Sequence, residues 1–127
     1  MPEKLPNFSL IIVNHNGLEI TKDCLNSIFA KTGNLDFETI VVDNASEDQS
    51  PERLKEEFAD KENFFVLGRT KNDFLTAAYN DGAKLSRGKI LVFMNNDLIV
   101  DQNWLAELIK AFDKEKTGVA GAAMFSF

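Results

Sequence analysis

The chain has 127 residues, 44% of them hydrophobic and 27% charged, which is the composition of one folded domain and excludes a disordered chain. Its formal net charge of −6 argues against nucleic acid as the main partner, since phosphate backbones bind proteins with a surplus of Lys and Arg. No apolar run reaches the roughly 20 residues that a membrane-spanning helix needs, so no transmembrane segment is expected.

The cysteine content predicts the compartment. Cys24 is the single cysteine and cannot form a disulfide within the chain, which favours a reducing environment. We therefore expect a cytoplasmic protein, either free or at the inner face of the membrane.

Apolar runs and helical spacings alternate along the chain. In chain order they predict a strand at 8–14, a helix at 17–32 that ends before Gly33, a strand at 37–44, a helix that begins at Pro51, a strand at 63–68, a helix at 73–86, a strand at 89–95, a helix at 102–116 and a fifth strand at 118–127. The strand runs are nearly continuous in apolar residues, which is typical of strands covered on both faces. The alternation predicts an α/β fold: a doubly wound, mainly parallel sheet with helices on both faces.

The last residues predict an unfinished sheet. The sequence ends inside an apolar strand, so we expect a single domain over residues 1–127 that is truncated at its C-terminal end. An uncovered edge strand with exposed aromatic side chains favours association. The sequence therefore predicts a homodimer that buries the surface around Met124, Phe125 and Phe127.

Small polar residues end or follow three of the predicted strands. They are Asn14 and Asn16 after the first strand, Asp43, Asn44 and Ser46 after the second, and Asn95, Asn96 and Asp97 after the fourth. The carboxyl ends of parallel strands lie at one edge of the sheet, where open α/β folds bind their ligands. These residues are interpreted as a binding site, and the alternative is that they form solvated turns and helix caps.

The usual phosphate-binding loops are absent from the sequence, which has neither a G-x-x-x-x-G-K-[ST] nor a G-x-G-x-x-G pattern. A diphosphate would then be bound through a divalent cation. Mg²⁺ or Mn²⁺ often takes one or two carboxylates and completes its shell with phosphate oxygens and water. Asp97, at the end of a buried strand, is the predicted metal ligand.

Three segments carry a resemblance to a known family. They are "SLIIVNHNG" at 9–17, "IVVDNASEDQS" at 40–50 and "ILVFMNNDLIV" at 90–100, and they resemble the N-terminal signatures of family 2 glycosyltransferases. These enzymes have the GT-A fold and use nucleotide-diphosphate sugars. The spellings "DNAS" and "NND" are similar to those of the rhamnosyltransferase-like branch. The resemblance implies that the chain is the Rossmann-like half of a GT-A fold.

The resemblance implies a role for each matching residue. Val13, Asn14 and Asn16 would line the nucleotide pocket, and Asp43 would bind the uracil or thymine edge, in a loop shaped by Asn44 and Ser46. Asn72 and Asn80 would lie near the donor. Asn95 would lie near the ribose and metal with Asn96 beside it, and Asp97 would bind the metal. The implied donor is a UDP- or dTDP-linked sugar, with Mg²⁺ or Mn²⁺ as cofactor. Two positions depart from the family's pattern: Phe74 stands in place of a Gly, and Asn95 in place of an Asp.

The implied function is that of the donor-binding domain of a glycosyltransferase. In the full enzyme a sugar would pass from the nucleotide-diphosphate sugar to a hydroxyl of a saccharide or lipid-linked acceptor, as in polysaccharide biosynthesis. The transfer would be an inverting displacement assisted by the metal. The catalytic base would lie beyond residue 127, so no catalytic residue is assigned. Two alternatives stay open: a nucleotidyltransferase, which would need a Gly-rich basic loop where "NHNGLEI" stands, and a non-catalytic nucleotide-binding or interaction domain.

Two residues with reactive side chains are interpreted as structural. His15 is the single histidine, and we expect it to have a structural or ligand-lining role rather than that of a base. Cys24 falls on the inner face of a predicted helix, where a buried, unreactive thiol is typical.

Overall fold

The computed structural model describes residues 5–113 and 118–121. In chain order its elements are β1 (Phe8–Asn14), α1 (Leu18–Lys31), β2 (Phe37–Asn44), α2 (Ser50–Glu57), β3 (Phe64–Arg69), α3 (Leu75–Leu85), β4 (Ile90–Asn95) and α4 (Trp104–Ile109). Each of these strands begins and ends within one residue of its predicted bounds. The helix predicted at 102–116 is shorter than expected, because α4 gives way to a 3-10 helix at Lys110–Asp113.

The predicted fifth strand has no counterpart in residues 118–121, which carry no regular secondary structure. Its remaining residues, including Met124, Phe125 and Phe127, lie outside the described residues, so the homodimer stays a prediction. Within the described ranges, no helix is long and apolar enough to cross a membrane.

The strands form one parallel sheet in the order β3-β2-β1-β4. The chain moves outwards from β1 to β3 and then returns to place β4 on the other side of β1, so the strand order reverses beside β1. This confirms the predicted doubly wound α/β fold. In such a sheet ligands bind in the crevice beyond the carboxyl ends of the strands at the reversal, which here are β1 and β4.

Each face of the sheet has its own core, because side chains alternate between the faces along every strand. On one face α1, α2 and α4 pack on a cluster that includes Leu10, Ile12 and Cys24. On the other face α3 packs on Ile11 and Val13. Burial raises the pKa of the Cys24 thiol to about 11, and the nearby Asp97 carboxylate makes a smaller contribution in the same direction. Cys24 is therefore the buried, unreactive thiol that was expected.

Gly82 allows α3 to lie close to the sheet. A Cβ atom at this position would lie 2.6 Å from Ile11 Cγ2 and 2.9 Å from Val42 Cγ2, which is closer than side chains tolerate. Glycine is unfavourable in the middle of a helix, but here it permits a short distance between helix and sheet. α3 is thereby held firmly over β1 and β2.

A buried carboxylate joins the strands at the amino edge of the sheet. Glu38 in β2 is 1% exposed and accepts hydrogen bonds from Ser9 Oγ at 2.6 Å, from the Arg87 backbone N–H at 2.7 Å and from Arg87 Nε at 3.0 Å. Burial alone would raise the pKa of Glu38, but these hydrogen bonds and the charge of Arg87 outweigh burial and lower the pKa. Glu38 thus fixes the connection from α3 to β4.

We expect Glu38→Gln to destabilise the fold by about 1–3 kcal/mol, because the amide lacks the charge and one of the acceptor oxygens that Ser9 and Arg87 require. The folded-state pKa of Glu38 lies below its unfolded value. The stability that Glu38 contributes is therefore fully present at pH values above its unfolded-state pKa, and it is lost as pH falls through its folded-state pKa. Urea unfolding across this acidic range should show less pH dependence in the variant than in the wild type.

The exposed Glu62→Gln is the control for this experiment. Equal effects of the two substitutions on the free energy of unfolding would contradict the role given to Glu38.

Candidate functional site

The register of the sheet brings the polar strand ends together. In the parallel pairs, Asn14 lies beside Asp43, and Val13 lies beside Asn95. Residues from three separate strand ends therefore lie at one edge of the sheet, as the sequence predicts.

Asn14 is the centre of a buried hydrogen-bond network at this edge. Its side chain is buried, and its amide nitrogen donates to Asp43 Oδ1 at 2.9 Å and to Ser46 Oγ at 3.3 Å. Its amide oxygen accepts from Thr21 Oγ1 at 2.8 Å and from the Gly17 N–H at 3.2 Å. One side chain therefore ties the end of β1 to the loop after β2 and to α1.

Asp43 is buried, and both of its oxygens form hydrogen bonds within the protein. The residue is 1% exposed; Oδ1 accepts from Ser46 Oγ at 2.7 Å and Oδ2 accepts from the Ser46 N–H at 2.9 Å. These bonds close a turn in which Ala45 has a left-handed φ of 56°, a conformation that is unfavourable for a residue other than glycine. Asp43 therefore shapes the loop that follows β2.

Asn16 joins the loop after β1 to the loop after β2. Its backbone N–H donates to Ser46 Oγ at 2.9 Å, and its Oδ1 accepts from the Glu47 N–H at 2.7 Å. Asn16 has a left-handed φ of 50°, which asparagine tolerates better than most residues. The two loops thus form one unit although Asn16 itself is exposed.

His15 connects three loops at the same edge. Its Nδ1 lies 2.8 Å from the Asn44 carbonyl oxygen, and its Nε2 lies 3.2 Å from the amide nitrogens of Asn16 and Asn72. Because Nε2 faces two donors, it is the acceptor, and Nδ1 carries the proton that it donates to Asn44. The ring holds the loops after β1, β2 and β3 together, which is consistent with the structural or ligand-lining role expected for His15.

Arg69, at the end of β3, is a residue of this edge that the sequence reasoning missed. It donates to the Asn44 side-chain oxygen and to the Asp73 carboxylate, and its Nε donates to Asp81 Oδ2 at 2.8 Å. The hydrogen bond from Arg69 is the main reason why the pKa of Asp73 is lowered. In the sequence, the spacing of Arg69 and Asp73 is a weak signal, because Asp81 joins them only when α3 folds back over the sheet.

A pocket beside Arg69 is separate from the predicted site. It has a volume of about 270 Å³ and is lined by residues 67–71, Asp73 and Asp81. Asn14, Asp43 and Asp97 do not line it. Its basic and acidic side chains pair with each other, so we assign it the structural role of holding the loop after β3.

The residues that end β4 divide between the protein and the solvent. The amide nitrogen of Asn96 donates to Thr21 Oγ1 at 3.1 Å and to Asn14 Oδ1 at 3.4 Å, which extends the network to the turn after β4. Asn95 and Asp97, on either side of it, are exposed. The turn therefore has one anchored side chain between two that a ligand can reach.

The remaining predicted residues differ in their surroundings. Val13 belongs to the core against α3, whereas Asn72 and Asn80 are exposed. Asn72 Oδ1 lies 3.4 Å from Asn44 Nδ2, so Asn44 and His15 bring it to the edge. Asn80 is an exposed residue of α3 and lies outside the loops that meet at this edge.

A divalent cation fits this site only together with a bound anion. Asp97 is an exposed carboxylate, and no group of three or more His, Cys, Asp and Glu side chains in the part of the chain that the structure describes could hold a metal ion. Mg²⁺ and Mn²⁺ can bind a single protein carboxylate when phosphate oxygens and water complete the shell. Asp97 and the neutral Asn95 are thus suited to a cation that is shared with a phosphorylated ligand.

A comparison with protein families agrees with this geometry. The model of the family described as Glycosyl transferase family 2 matches residues 9–127, nearly the whole sequence. The chain belongs to glycosyltransferase family 2. This confirms the resemblance of the three segments and leaves the nucleotidyltransferase alternative without support. The narrower resemblance to the rhamnosyltransferase-like branch stays a prediction.

Two relatives show how much of a family 2 protein the chain covers. Glycosyltransferase AglE of Haloferax volcanii is 33% identical over 106 residues, which are 83% of this chain and 35% of the relative. The O-antigen biosynthesis protein RfbC of Myxococcus xanthus is 28% identical over 121 residues, which are 94% of this chain and 9% of the relative. The chain therefore spans about a third or less of the length of these relatives.

Solved glycosyltransferase structures share the fold of this family 2 chain. The mannosyltransferase PcManGT from Pyrobaculum calidifontis, in complex with GDP-Man and Mn²⁺, has a TM-score of 0.81 at 20% identity over 91% of this chain and 34% of that one. TarS 1–349 of S. aureus, in complex with UDP-GlcNAc, has a TM-score of 0.71 at 24% identity over 84% of this chain and 31% of that one. These likenesses confirm the Rossmann-like α/β fold of GT-A glycosyltransferases.

The network predicts the effect of a carboxylate at position 14. In Asn14→Asp the donor that lies 2.9 Å from Asp43 Oδ1 is replaced by an acceptor. The two carboxyl groups would share a proton, so the folded-state pKa of the pair is raised above the unfolded value, and the penalty grows as pH rises. We expect the variant to lose about 1–3 kcal/mol at neutral pH and to recover part of this loss at about pH 5.

Urea unfolding at the two pH values measures this difference. Asn26→Asp, on the exposed face of α1, is the matched control, and its loss of stability should be small at both. A loss in Asn14→Asp that does not change with pH would refute the buried contact between positions 14 and 43.

Proposed function

We propose that residues 1–127 form the donor-binding part of a glycosyltransferase that uses a nucleoside-diphosphate sugar. The observation that carries this proposal is the Asn95–Asp97 turn, which presents two exposed polar side chains at the carboxyl end of β4, beside the reversal of the strand order. Membership of family 2 supports it, as do the GDP-Man and UDP-GlcNAc held by the two structural neighbours.

Asp97 is the proposed ligand of Mg²⁺ or Mn²⁺, with Asn95 between this metal site and the ribose. When bound, the cation supplies Lewis-acid stabilisation of the diphosphate leaving group. A neutral Asn95 leaves one carboxylate instead of two facing the diphosphate, which reduces the repulsion between protein and ligand. The Mn²⁺ in the PcManGT complex supports a divalent cation.

Asp43 is proposed to bind the edge of the pyrimidine base of UDP or dTDP through Oδ2. A carboxylate oxygen can accept more than one hydrogen bond, so the bond from the Ser46 N–H and a bond from a base N–H can coexist. Asn14 holds Oδ1 and so fixes the orientation of the carboxylate. The other residues proposed to line the donor site are Val13, Asn14, Asn16, Asn44, Ser46, Asn72, Asn80 and Asn96.

The transfer step is proposed for the full-length enzyme. The relatives are about three or more times as long as the matched region, and the base that deprotonates the acceptor hydroxyl is proposed to lie outside these 127 residues. We propose a saccharide or lipid-linked acceptor and a place in cytoplasmic polysaccharide biosynthesis, at the inner membrane face where the acceptor is lipid-linked. The name of RfbC supports the polysaccharide assignment.

Asp97→Asn should remove the Mn²⁺-dependent part of UDP binding and leave the metal-independent part. The substitution removes the proposed metal ligand, so we expect the Mn²⁺-dependent gain in UDP affinity to fall by about tenfold or more. Calorimetric titration of UDP with and without Mn²⁺ measures both parts. Because Asp97 is exposed, the temperature of unfolding should not change.

Asp101→Asn, which changes an exposed carboxylate in the following loop, is the matched control. If Mn²⁺ strengthens UDP binding equally in the wild type and in Asp97→Asn, the cation is bound elsewhere and the assignment fails.

Asp43→Asn should weaken the binding of UDP more than that of pyrophosphate. The loss of a hydrogen bond to the base should weaken the binding free energy of UDP by about 1–3 kcal/mol. Pyrophosphate has no base, so its binding should not change. Glu47→Gln, which changes an exposed carboxylate of the same loop, is the control. Equal losses for the two ligands would mean that Asp43 acts on the loop and does not bind a base.

A further inference from the structure

The end of β4 is held by side chains from both faces of the sheet. Among the described strands, β4 pairs with β1 alone and so lies at an edge. On the face covered by α1, Asn96 donates to Thr21 Oγ1 at 3.1 Å and attaches the turn after β4 to that helix. The contact on the opposite face comes from α3.

Tyr79 of α3 makes this contact. Its hydroxyl donates to the Met94 carbonyl oxygen at 2.6 Å and lies 3.5 Å from Asn95 Oδ1. Its ring meets Phe93 edge-on, with centroids 5.5 Å apart and an interplanar angle of 89°. The hydroxyl therefore holds the peptide group that joins Met94 to Asn95, the last one in the strand.

The helix that carries Tyr79 is itself firmly placed. Gly82 brings α3 close to Ile11 and Val42, and Ala78 is buried in the same core. A hydroxyl on this helix can therefore define the position of a peptide group on an edge strand. The Met94 carbonyl oxygen also faces β1 in the parallel pair, so the Tyr79 hydroxyl adds a second restraint from the side of α3; without it, the strand pair alone would hold the peptide before Asn95.

We propose that Tyr79 is a positioning residue that orients the Asn95–Asp97 turn for a divalent cation and the diphosphate of the donor. The inference rests on the proposed function, since it assigns the cation to Asp97. A metal ligand has to be held within about 0.5 Å of its productive position. Asp97 is exposed, so its position depends on the backbone that carries it, and that backbone is the one Tyr79 holds.

One substitution separates this role from packing. Tyr79→Phe keeps the ring against Phe93 and removes only the hydroxyl. The matched control is Ser86→Ala, because Ser86 follows the same helix and its hydroxyl also donates to a carbonyl oxygen, that of Ala83 at 2.6 Å, at the other end of α3. Both variants lose one hydroxyl hydrogen bond, but only the first touches β4.

The experiment has two measurements. In NMR relaxation measurements, the order parameters of the Asn95–Asp97 amides should fall from about 0.85 towards about 0.6 in Tyr79→Phe and should keep the wild-type values in Ser86→Ala. In titrations of Mn²⁺ at fixed UDP, the Mn²⁺ concentration that gives half of the gain in UDP binding should rise about fivefold in Tyr79→Phe. The affinity for UDP without metal should stay unchanged.

Unchanged order parameters at Asn95–Asp97 in Tyr79→Phe would overturn the inference, and so would a Mn²⁺ requirement equal to that of the wild type. An equal response of Ser86→Ala would overturn it as well, since the effect would then be one of general stability. If UDP binding by the wild type does not respond to Mn²⁺ at all, it is the proposed function that fails. The order parameters would still decide whether Tyr79 fixes the turn.

Discussion

The buried amide of Asn14 is the interaction on which the carboxyl edge of the sheet depends. A primary amide offers two donor hydrogens and two acceptor lone pairs, and Asn14 uses its nitrogen for Asp43 and its oxygen for Thr21. An ionised aspartate at this position could not donate to Asp43. A leucine would leave both partners buried without these hydrogen bonds, at about 1–3 kcal/mol for each. A neutral side chain that both donates and accepts is therefore what allows a carboxylate to be buried here.

The same network determines the charge that a ligand meets at this edge. A protein with a net charge of −6 repels a diphosphate in general. At the carboxyl edge, Asp43 is buried among donors and Asn16, Asn72 and Asn95 are exposed neutral amides, while the exposed carboxylates of the loop after β2 are Glu47 and Asp48. In the turn after β4, Asp97 is the proposed ligand of a cation that the diphosphate would also bind. Asparagines in place of aspartates thus reduce the negative charge at the proposed site for an anion.

The range of each interaction explains what could be predicted from the sequence. The strands were predictable because an apolar run is a local signal, and their parallel topology implies that the polar ends meet. The hydrogen bonds of Asn14 are different, since Asp43 is 29 and Asn96 is 82 residues away, and no periodicity reports such pairs. The resemblance therefore assigned Asn14 to the ligand, and it gave no indication of its bonds within the protein. Arg69 and Tyr79 were missed for the same reason.

β4 depends on side chains more than β1 and β2 do, because, like β3, it has a strand partner on one side only in the described sheet. Its amino end is fixed by the charged contact of Glu38 with Arg87, and its carboxyl end by the neutral hydroxyl of Tyr79. A charged contact is stronger, but at the carboxyl end it would compete with the proposed cation and diphosphate for the same partners. At the amino end it meets no ligand. The charged contact thus lies where it stabilises the fold, and the neutral contact lies where it orients the turn after β4. Tyr79→Lys should therefore weaken the proposed metal site even if the new side chain held the Met94 carbonyl oxygen equally well.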